Sequence, residues 1–274
     1  MDAGPRLDGR TALITGGGGG IGRGISELFA AAGAAVFVVE IDPDRASETR
    51  AAIEANGARA VSVVADVRES EGVELARAAA LDAFGGIDVL VNNVGHYGGP
   101  RRAFHEQSDD EWNELYRVNL GHVLGMSRAV IPHMLDRGAG SIVNVSTVEA
   151  FRAIPTRAVY SAFKSAITGF TRSLAIEYAG RGIRVNAIAP DVTETPQVPY
   201  DRMVPPEQRH LIPTWVPVGR FGTPADVAAV ALFFASDLSG FVTGATVPVD
   251  GGTLAAGGWY PTAEGGWTNR PRHP

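Results

Sequence analysis

Tyr160 and Lys164 stand four residues apart in Tyr160-Ser161-Ala162-Phe163-Lys164, a spacing that puts both side chains on one face of a helix. An ammonium beside a phenol favours the phenolate and lowers the phenol pKa toward working pH, as a bound nicotinamide cation does. The pair is a candidate general acid/base for interconverting an alcohol and a carbonyl. Lys164 is also the single lysine among 24 basic residues, the rest being arginine, so chemistry that needs a compact ammonium has this residue alone to use. Far upstream lies Thr15-Gly16-Gly17-Gly18-Gly19-Gly20-Ile21-Gly22. Glycines permit a tight turn and close approach of backbone to a pyrophosphate, and a helix starting there offers unpaired N–H groups and the positive end of its dipole. Glu40, 18 residues beyond Gly22, ends the next apolar run. A carboxylate there accepts hydrogen bonds from the adenosine ribose and repels a 2′-phosphate, which points to NAD over NADP. The plainer alternative is a strand-end carboxylate with Asp42 capping the next helix. Asp66 either meets the adenine amino group or caps the helix that follows it.

These residues need elements to hold them. Short apolar runs at Thr11–Thr15, Ala35–Glu40, Ala60–Val64, 87–91, 141–145, 183–188 and Thr246–Val249 read as strands. Between them, helical patterns run over 21–32, 44–56, 69–83, 108–135, 158–179 and 223–235, with Pro132 expected to mark a kink or junction. Strand–helix alternation predicts an α/β doubly wound parallel sheet with helices on both faces, as one domain over 1–253. Residues 191–218 hold six prolines and read as a long irregular substrate loop. Residues 254–274 form a Gly/Trp/Pro-rich extension in which Trp259 and Trp267, like Trp215 in the loop, are expected as core or interface anchors.

Composition narrows the function. With 45% hydrophobic residues the chain can fill a core. A net charge of −6 with no basic tail argues against nucleic acid as partner. The chain has no cysteine, which excludes a thiol nucleophile, a disulfide scaffold and a zinc–thiolate site. His96, His105, His122, His133 and His210 lack metal-ligand spacing, so no metal is expected. No signal-like N-terminal core or 18-residue apolar run appears, so the expectation is a cytoplasmic protein without a membrane partner.

Taken together, the motifs resemble those of the short-chain dehydrogenase/reductase family over residues 7–253: the glycine run, Asn92-Asn93-Val94-Gly95, Asn119 within Val118-Asn119-Leu120, Tyr160…Lys164, Val185-Asn186-Ala187-Ile188-Ala189-Pro190 and Val249-Asp250-Gly251-Gly252. The resemblance implies a Rossmann-type sheet, a homotetramer with the tail at a subunit interface, and hydride transfer between the cofactor and a small-molecule alcohol or ketone. It implies that Tyr160 is the acid/base, that Lys164 lowers its pKa and binds the nicotinamide ribose, and that Asn119 holds a relay water. The implied cofactor contacts are Gly16, Gly20, Ile21, Gly22, Glu40, Asp66, Val67, Asn93, Gly95, Pro190, Thr193 and Thr195, the last at the carboxamide, with Tyr160 and Lys164. The family's substrate-orienting serine falls at Thr147, with Ser146 one position earlier as the alternative. Asp191 stands where the family usually has glycine, and its carboxylate is a candidate influence on substrate choice.

The expected substrate wall is His96, Thr147, Glu149, Arg152, Arg157 and Trp215, which suits an aromatic or alicyclic alcohol better than a sugar. The segments Leu90–Gly95, Arg128–Leu135 and Ala189–Pro196 resemble dehydrogenases of aromatic-carboxylate cis-dihydrodiols, for which Arg152 or Arg157 is a candidate carboxylate clamp. Hydroxysteroids, terpenoid alcohols and 3-oxoacyl groups stay open as substrates. A non-catalytic NAD-binding regulator would keep the glycine loop and Glu40 but has no use for Tyr160, Lys164 and Asn119 together.

Overall fold

The computed structural model describes residues 4–98, 102–258, 260–261 and 266–268. Its centre is a seven-stranded, all-parallel sheet in the order β3-β2-β1-β4-β5-β6-β7. The strands are β1 (Thr11–Thr15), β2 (Ala35–Glu40), β3 (Ala60–Val64), β4 (Val89–Asn92), β5 (Gly140–Val145), β6 (Ile183–Pro190) and β7 (Thr246–Val249). Their inner members are predominantly apolar because helices cover both faces and leave no wet side to favour polar residues. One face packs Ile25 and Phe29 of α1 (Gly20–Ala31) with Val227 and Phe234 of a late helix. The other packs Met126, Val130 and Met134 with Leu174.

The helices α2 (Pro43–Ala55), α3 (Ser70–Phe84), α4 (Asp109–Tyr116), α5 (His122–Arg137) and α6 (Ala158–Tyr178) fill the crossovers. Asp42 does cap α2, accepting from the main-chain N–H of Asp44 and Arg45 at 3.0 and 3.2 Å, with Pro43 in the first turn. The helical stretch near 108–135 breaks differently from expectation. Pro132 lies inside an unbroken α5, and the junction is a π turn over Arg117–Gly121 that carries Asn119.

The strand order reverses between β1 and β4, so the crevice above their carboxyl ends is where an α/β sheet of this kind takes a ligand. The segment after β6 is more ordered than a bare loop. It contains α7 (Tyr200–Met203), a 3-10 turn over Pro206–Leu211 and α8 (Ile212–Trp215), and it wraps its own small core of Val204, Ile212, Val216 and Phe221. The helix α9 (Pro224–Ala235) follows, opened by a capping box between Thr223 and Asp226. In the extension, Tyr260–Pro261 pairs antiparallel with Trp267–Thr268. Trp259 and residues 262–265 and 269–274, on which part of the expected interface tail falls, lie outside the described residues.

Candidate active site

A cleft of about 880 Å³ opens at the carboxyl edge of the sheet. One wall is the glycine loop between β1 and α1. A Cβ at Gly22 would lie 2.0 Å from the Gly16 carbonyl, so no larger residue fits without moving the loop. The loop is held from beneath by Asn93, whose amide donates to the carbonyls of Thr15 and Gly16 at 3.1 and 3.2 Å. Thr15 Oγ1 in turn accepts from the Asn93 N–H at 3.0 Å. The neighbouring Asn92 points the other way, into the sheet, and donates to Asn144 at 2.9 Å.

Glu40 is buried at the end of β2. Its Oε2 accepts from the Gly18 N–H at 3.1 Å and its Oε1 from Ile41 and Asp42 N–H at 2.9 and 3.3 Å. Main-chain donors fix its orientation and leave lone pairs for hydroxyl donors in the cleft. Asp66 caps no helix. Arg68 grips it through Nε and Nη2, at 2.9 and 2.6 Å, and donates from Nη1 to Glu114 at 2.6 Å. That hydrogen bonding holds the Asp66 carboxyl below its usual range. Arg45 and Arg68 both line this end of the cleft, cations absent from the sequence expectation.

Across the cleft stand the catalytic candidates. Lys164 is 3% exposed and its Nζ donates to the Val145 carbonyl at 3.1 Å, 5.9 Å from the centre of the Tyr160 ring. Gly95 makes this possible, because a Cβ there would sit 2.8 Å from that Nζ. Burial pulls the Lys164 ammonium down to about 8 and pushes the Tyr160 phenol up to about 12, where the Thr147 hydroxyl opposes the rise and the Glu149 carboxylate adds to it. In the protein alone burial outweighs the lowering expected of Lys164, and a further positive charge in the cleft, such as a bound nicotinamide cation, would act in the same direction as Lys164.

Thr147 ends β5's run into the cleft, donating to the Pro190 carbonyl at 3.2 Å. Ser146 is turned to the helix, its hydroxyl donating to the Lys164 carbonyl at 2.9 Å. Asn119 is wholly buried and away from the cleft surface. Its Oδ1 accepts from His96 N–H at 3.1 Å, and its Nδ2 donates to the carbonyls of His96 and Leu115 at 2.8 and 3.1 Å. The side chain thus locks the loop after β4.

Gly16, Gly20, Ile21, Val67, Gly95, Pro190, Thr193 and Thr195 line the cleft with these residues, and Gly22 lies just behind it. His96, Glu149 and Arg157 line the substrate end. His96 stacks on Tyr97 with ring centres 5.1 Å apart, and the Arg157 guanidinium lies 5.3 Å over the Tyr97 ring. Tyr97 also forms a bridge: its hydroxyl donates to the Gln197 carbonyl at 3.3 Å, across the cleft mouth. Two expected wall residues are not there. Trp215 is turned edge-on to Phe221 at 5.4 Å, and Arg152 is paired with Glu149 and Asp191. Asp191 likewise faces Arg152, so its carboxylate is engaged by protein. Among the described residues no cluster of metal-ligating side chains occurs, and no helix is long and apolar enough to cross a membrane.

Residues 17–253 match a family model described as Enoyl-(Acyl carrier protein) reductase. The 3β-hydroxysteroid dehydrogenase 1 of Eggerthella lenta is 41% identical over 249 residues, covering 90% of this chain and 94% of that one. The 2,5-dichloro-2,5-cyclohexadiene-1,4-diol dehydrogenase LinX of Sphingobium indicum is 36% identical, covering 90% of this chain and 97% of its own. Among solved structures, a 7α-hydroxysteroid dehydrogenase complexed with NADH and 7-oxo glycochenodeoxycholic acid superposes with a TM-score of 0.85 at 31% identity, over 90% of this chain and 95% of that one. Such likeness along nearly the whole length, joined to a parallel sheet and a helix α6 that sets Tyr160 and Lys164 across the cleft from a glycine loop, makes this chain an oxidoreductase of the short-chain dehydrogenase/reductase family.

Proposed function

We propose that the protein is an NAD-dependent dehydrogenase that interconverts a secondary alcohol and a ketone on an aromatic or alicyclic substrate. One observation carries this reading: Tyr160 and the buried Lys164 face the same cleft as Glu40, whose carboxylate is locked by main-chain donors where it disfavours a further phosphate. The glycine loop, Glu40, Asp66, Val67, Lys164, Thr193 and Thr195 would hold the dinucleotide, which supplies hydride acceptance. Gly16, Gly19 and Gly20 line the cleft without side chains, which suits close backbone approach to a pyrophosphate.

This chain's own groups do the rest. Thr147 orients the carbinol oxygen, while the hydroxyl of Ser146, which also lines the cleft, is engaged by the Lys164 carbonyl. Tyr160 takes the hydroxyl proton, and Lys164 stabilises the phenolate. The amide of Asn119 is already committed to His96 and Leu115, so a relay water is left its main-chain carbonyl or the second lone pair of Oδ1. A catalytic unit over 1–253, an interface role for 254–274, a homotetramer and a cytoplasmic location complete the reading.

The likeness to LinX and the apolar end of the cleft support a cis-dihydrodiol or related ring alcohol. The 41% identity to a hydroxysteroid dehydrogenase supports the second reading, a steroid alcohol. A panel of cis-dihydrodiols, hydroxysteroids, monoterpenols and 3-hydroxyacyl thioesters, followed by NADH absorbance, tests both. Turnover confined to thioesters, or absent with every alcohol, overturns the proposal.

A further inference from the structure

The turn after β5 carries a knot of charge that the reaction above does not use. Arg152 Nη2 donates to Glu149 Oε1 at 3.0 Å and to both oxygens of Asp191 at 2.9 Å. Asp191 also accepts from the Thr253 hydroxyl, and Thr253 and Leu254 reach Asp250 Oδ2 at 3.3 and 2.8 Å. Three segments distant in sequence are joined in this way: the turn 147–152, the end of β6 and the start of the C-terminal extension. The turn is pinned to α6 as well, since Ser161 and Ser165 donate to the carbonyls of Glu149 and Ala150 at 2.6 and 3.0 Å. Tyr160 and Ser161 are adjacent, so the knot lies against the acid/base.

Glu149 is the member that matters electrically. It lines the cleft with Tyr160, and its second oxygen, Oε2, is buried with no hydrogen-bond partner among the described residues. A carboxylate so placed opposes a phenolate. We infer that Arg152 is a positioning residue for the acid/base step: it balances the Glu149–Asp191 carboxylate pair beside Tyr160 and fixes the turn that presents Thr147. The inference rests on the alcohol dehydrogenase reading only for its kinetic readout.

The groups that face the phenol fix the expected direction. From α6 there is Lys164; from the turn, Thr147 and Glu149, with Arg152 behind them; from the loop after β4, His96 and Tyr97; from the end of β6, Asp191; and Arg157 at the start of α6. Glu149 and Tyr97 raise the Tyr160 pKa, and Thr147 lowers it. Removing Arg152 leaves two carboxylates without the cation paired to them, so the phenol ionises less readily. Removing the Glu149 charge does the reverse.

The experiment is the pH profile of kcat/KM for alcohol oxidation in Arg152→Met, Glu149→Gln and the double variant, with melting temperature as a check on folding. The alkaline rise should move up by about one pH unit in Arg152→Met, down in Glu149→Gln, and back toward the wild-type position in the double variant. A merely structural role lowers activity at every pH and moves no limb. Profiles that superimpose after scaling, or a displacement that persists in the double variant, overturn the inference. If Arg152→Met does not fold, Glu149→Gln decides alone, and an unmoved limb overturns the inference. If the wild type turns over no alcohol, the functional reading fails separately. The Tyr160 13Cζ resonance, identified by its loss in Tyr160→Phe and followed with pH, then decides by the same order of shifts.

Discussion

The two sides of the cleft are made of different materials. On the side of β1 to β3 the surface is main chain. The glycines remove side chains, Asn93 braces the loop from below, and Glu40 is fixed by three backbone N–H donors, with Arg45, Asp66 and Arg68 charged beside it. On the side of β4 to β6 the surface is side chain. Thr147, Tyr160, Lys164, Glu149 and Arg157 converge from a turn and a helix, and their charges act on one another. A dinucleotide asks for shape and dipoles, which backbone supplies rigidly. Moving a proton asks for groups of adjustable pKa, which only side chains supply. Damage to the first side should therefore appear in affinity and stability, and damage to the second in turnover.

The largest test falls on the side-chain wall. Tyr160→Phe should lower kcat by on the order of 10³-fold while fluorescence titration still detects NAD binding. Loss of binding in equal measure would erase the distinction between the two sides. Lys164→Arg should come next, falling by roughly 10²-fold or more, because a guanidinium does not fit where a Cβ on Gly95 would already sit 2.8 Å from Nζ.

Lys164→Met sharpens the comparison from the stability side. The Lys164 value, about 8 in the fold against 10.5 ordinarily, means that between those pH values the unfolded chain binds the extra proton. This term costs stability in full below pH 8 and is relieved as pH rises to 10.5. Tyr160, raised to about 12, works oppositely, adding stability that is lost as pH rises from 10 to 12. Melting curves of Lys164→Met should lie above wild type at pH 7 and lack the rise between pH 8 and 10.5.

On the backbone wall, Glu40 predicts an NAD over NADP preference in kcat/KM on the order of 10²-fold, which Glu40→Ala should erode. Arg45 and Arg68 at the same end work against that preference, and a ratio near one would show that they outweigh the carboxylate. Gly22→Ala should cost about 1–3 kcal/mol and weaken NAD binding more than it slows the bound enzyme. The smallest effect lies outside the cleft. Asp226→Asn, which removes both a cap and the Arg220 ion pair, should cost about 1 kcal/mol in thermal unfolding. Arg220 holds the Asp226 carboxyl well below its usual range, so this contribution is present above the ordinary carboxylate pKa and disappears on acidification.

Most of the sheet was legible because fully covered strands are predominantly apolar, as 35–39 and 141–145 are, the latter broken only by Ser141 and Asn144. Where β4 begins was not. Ile87 belongs to the apolar run, yet Asp88 turns its carboxylate to the Thr11 N–H at 2.8 Å and the strand starts at Val89. The π turn at Asn119 was missed: the expected break fell on Pro132, which lies inside an unbroken helix. In the site, glycine and Tyr160…Lys164 were readable as local patterns. What escaped was non-local. Arg152 looked like a substrate clamp until Asp191, 39 residues away, proved to hold it, and Trp215 looked like a wall until Phe221 took its edge. The same non-local packing, around Val204, Ile212 and Val216, orders a proline-rich stretch that reads as irregular from its composition.

The solitary lysine also has a consequence for covalent chemistry. With every other cation a guanidinium, the folded surface offers acylating reagents no side-chain amine, because Lys164 is buried at the cleft floor. Activated esters should modify the chain's amino terminus and then, slowly and with the pH dependence of a depressed ammonium, a single residue. Occupancy of the cleft by NAD should shield it, so one mass increment becomes a direct gauge of how full the cofactor site is.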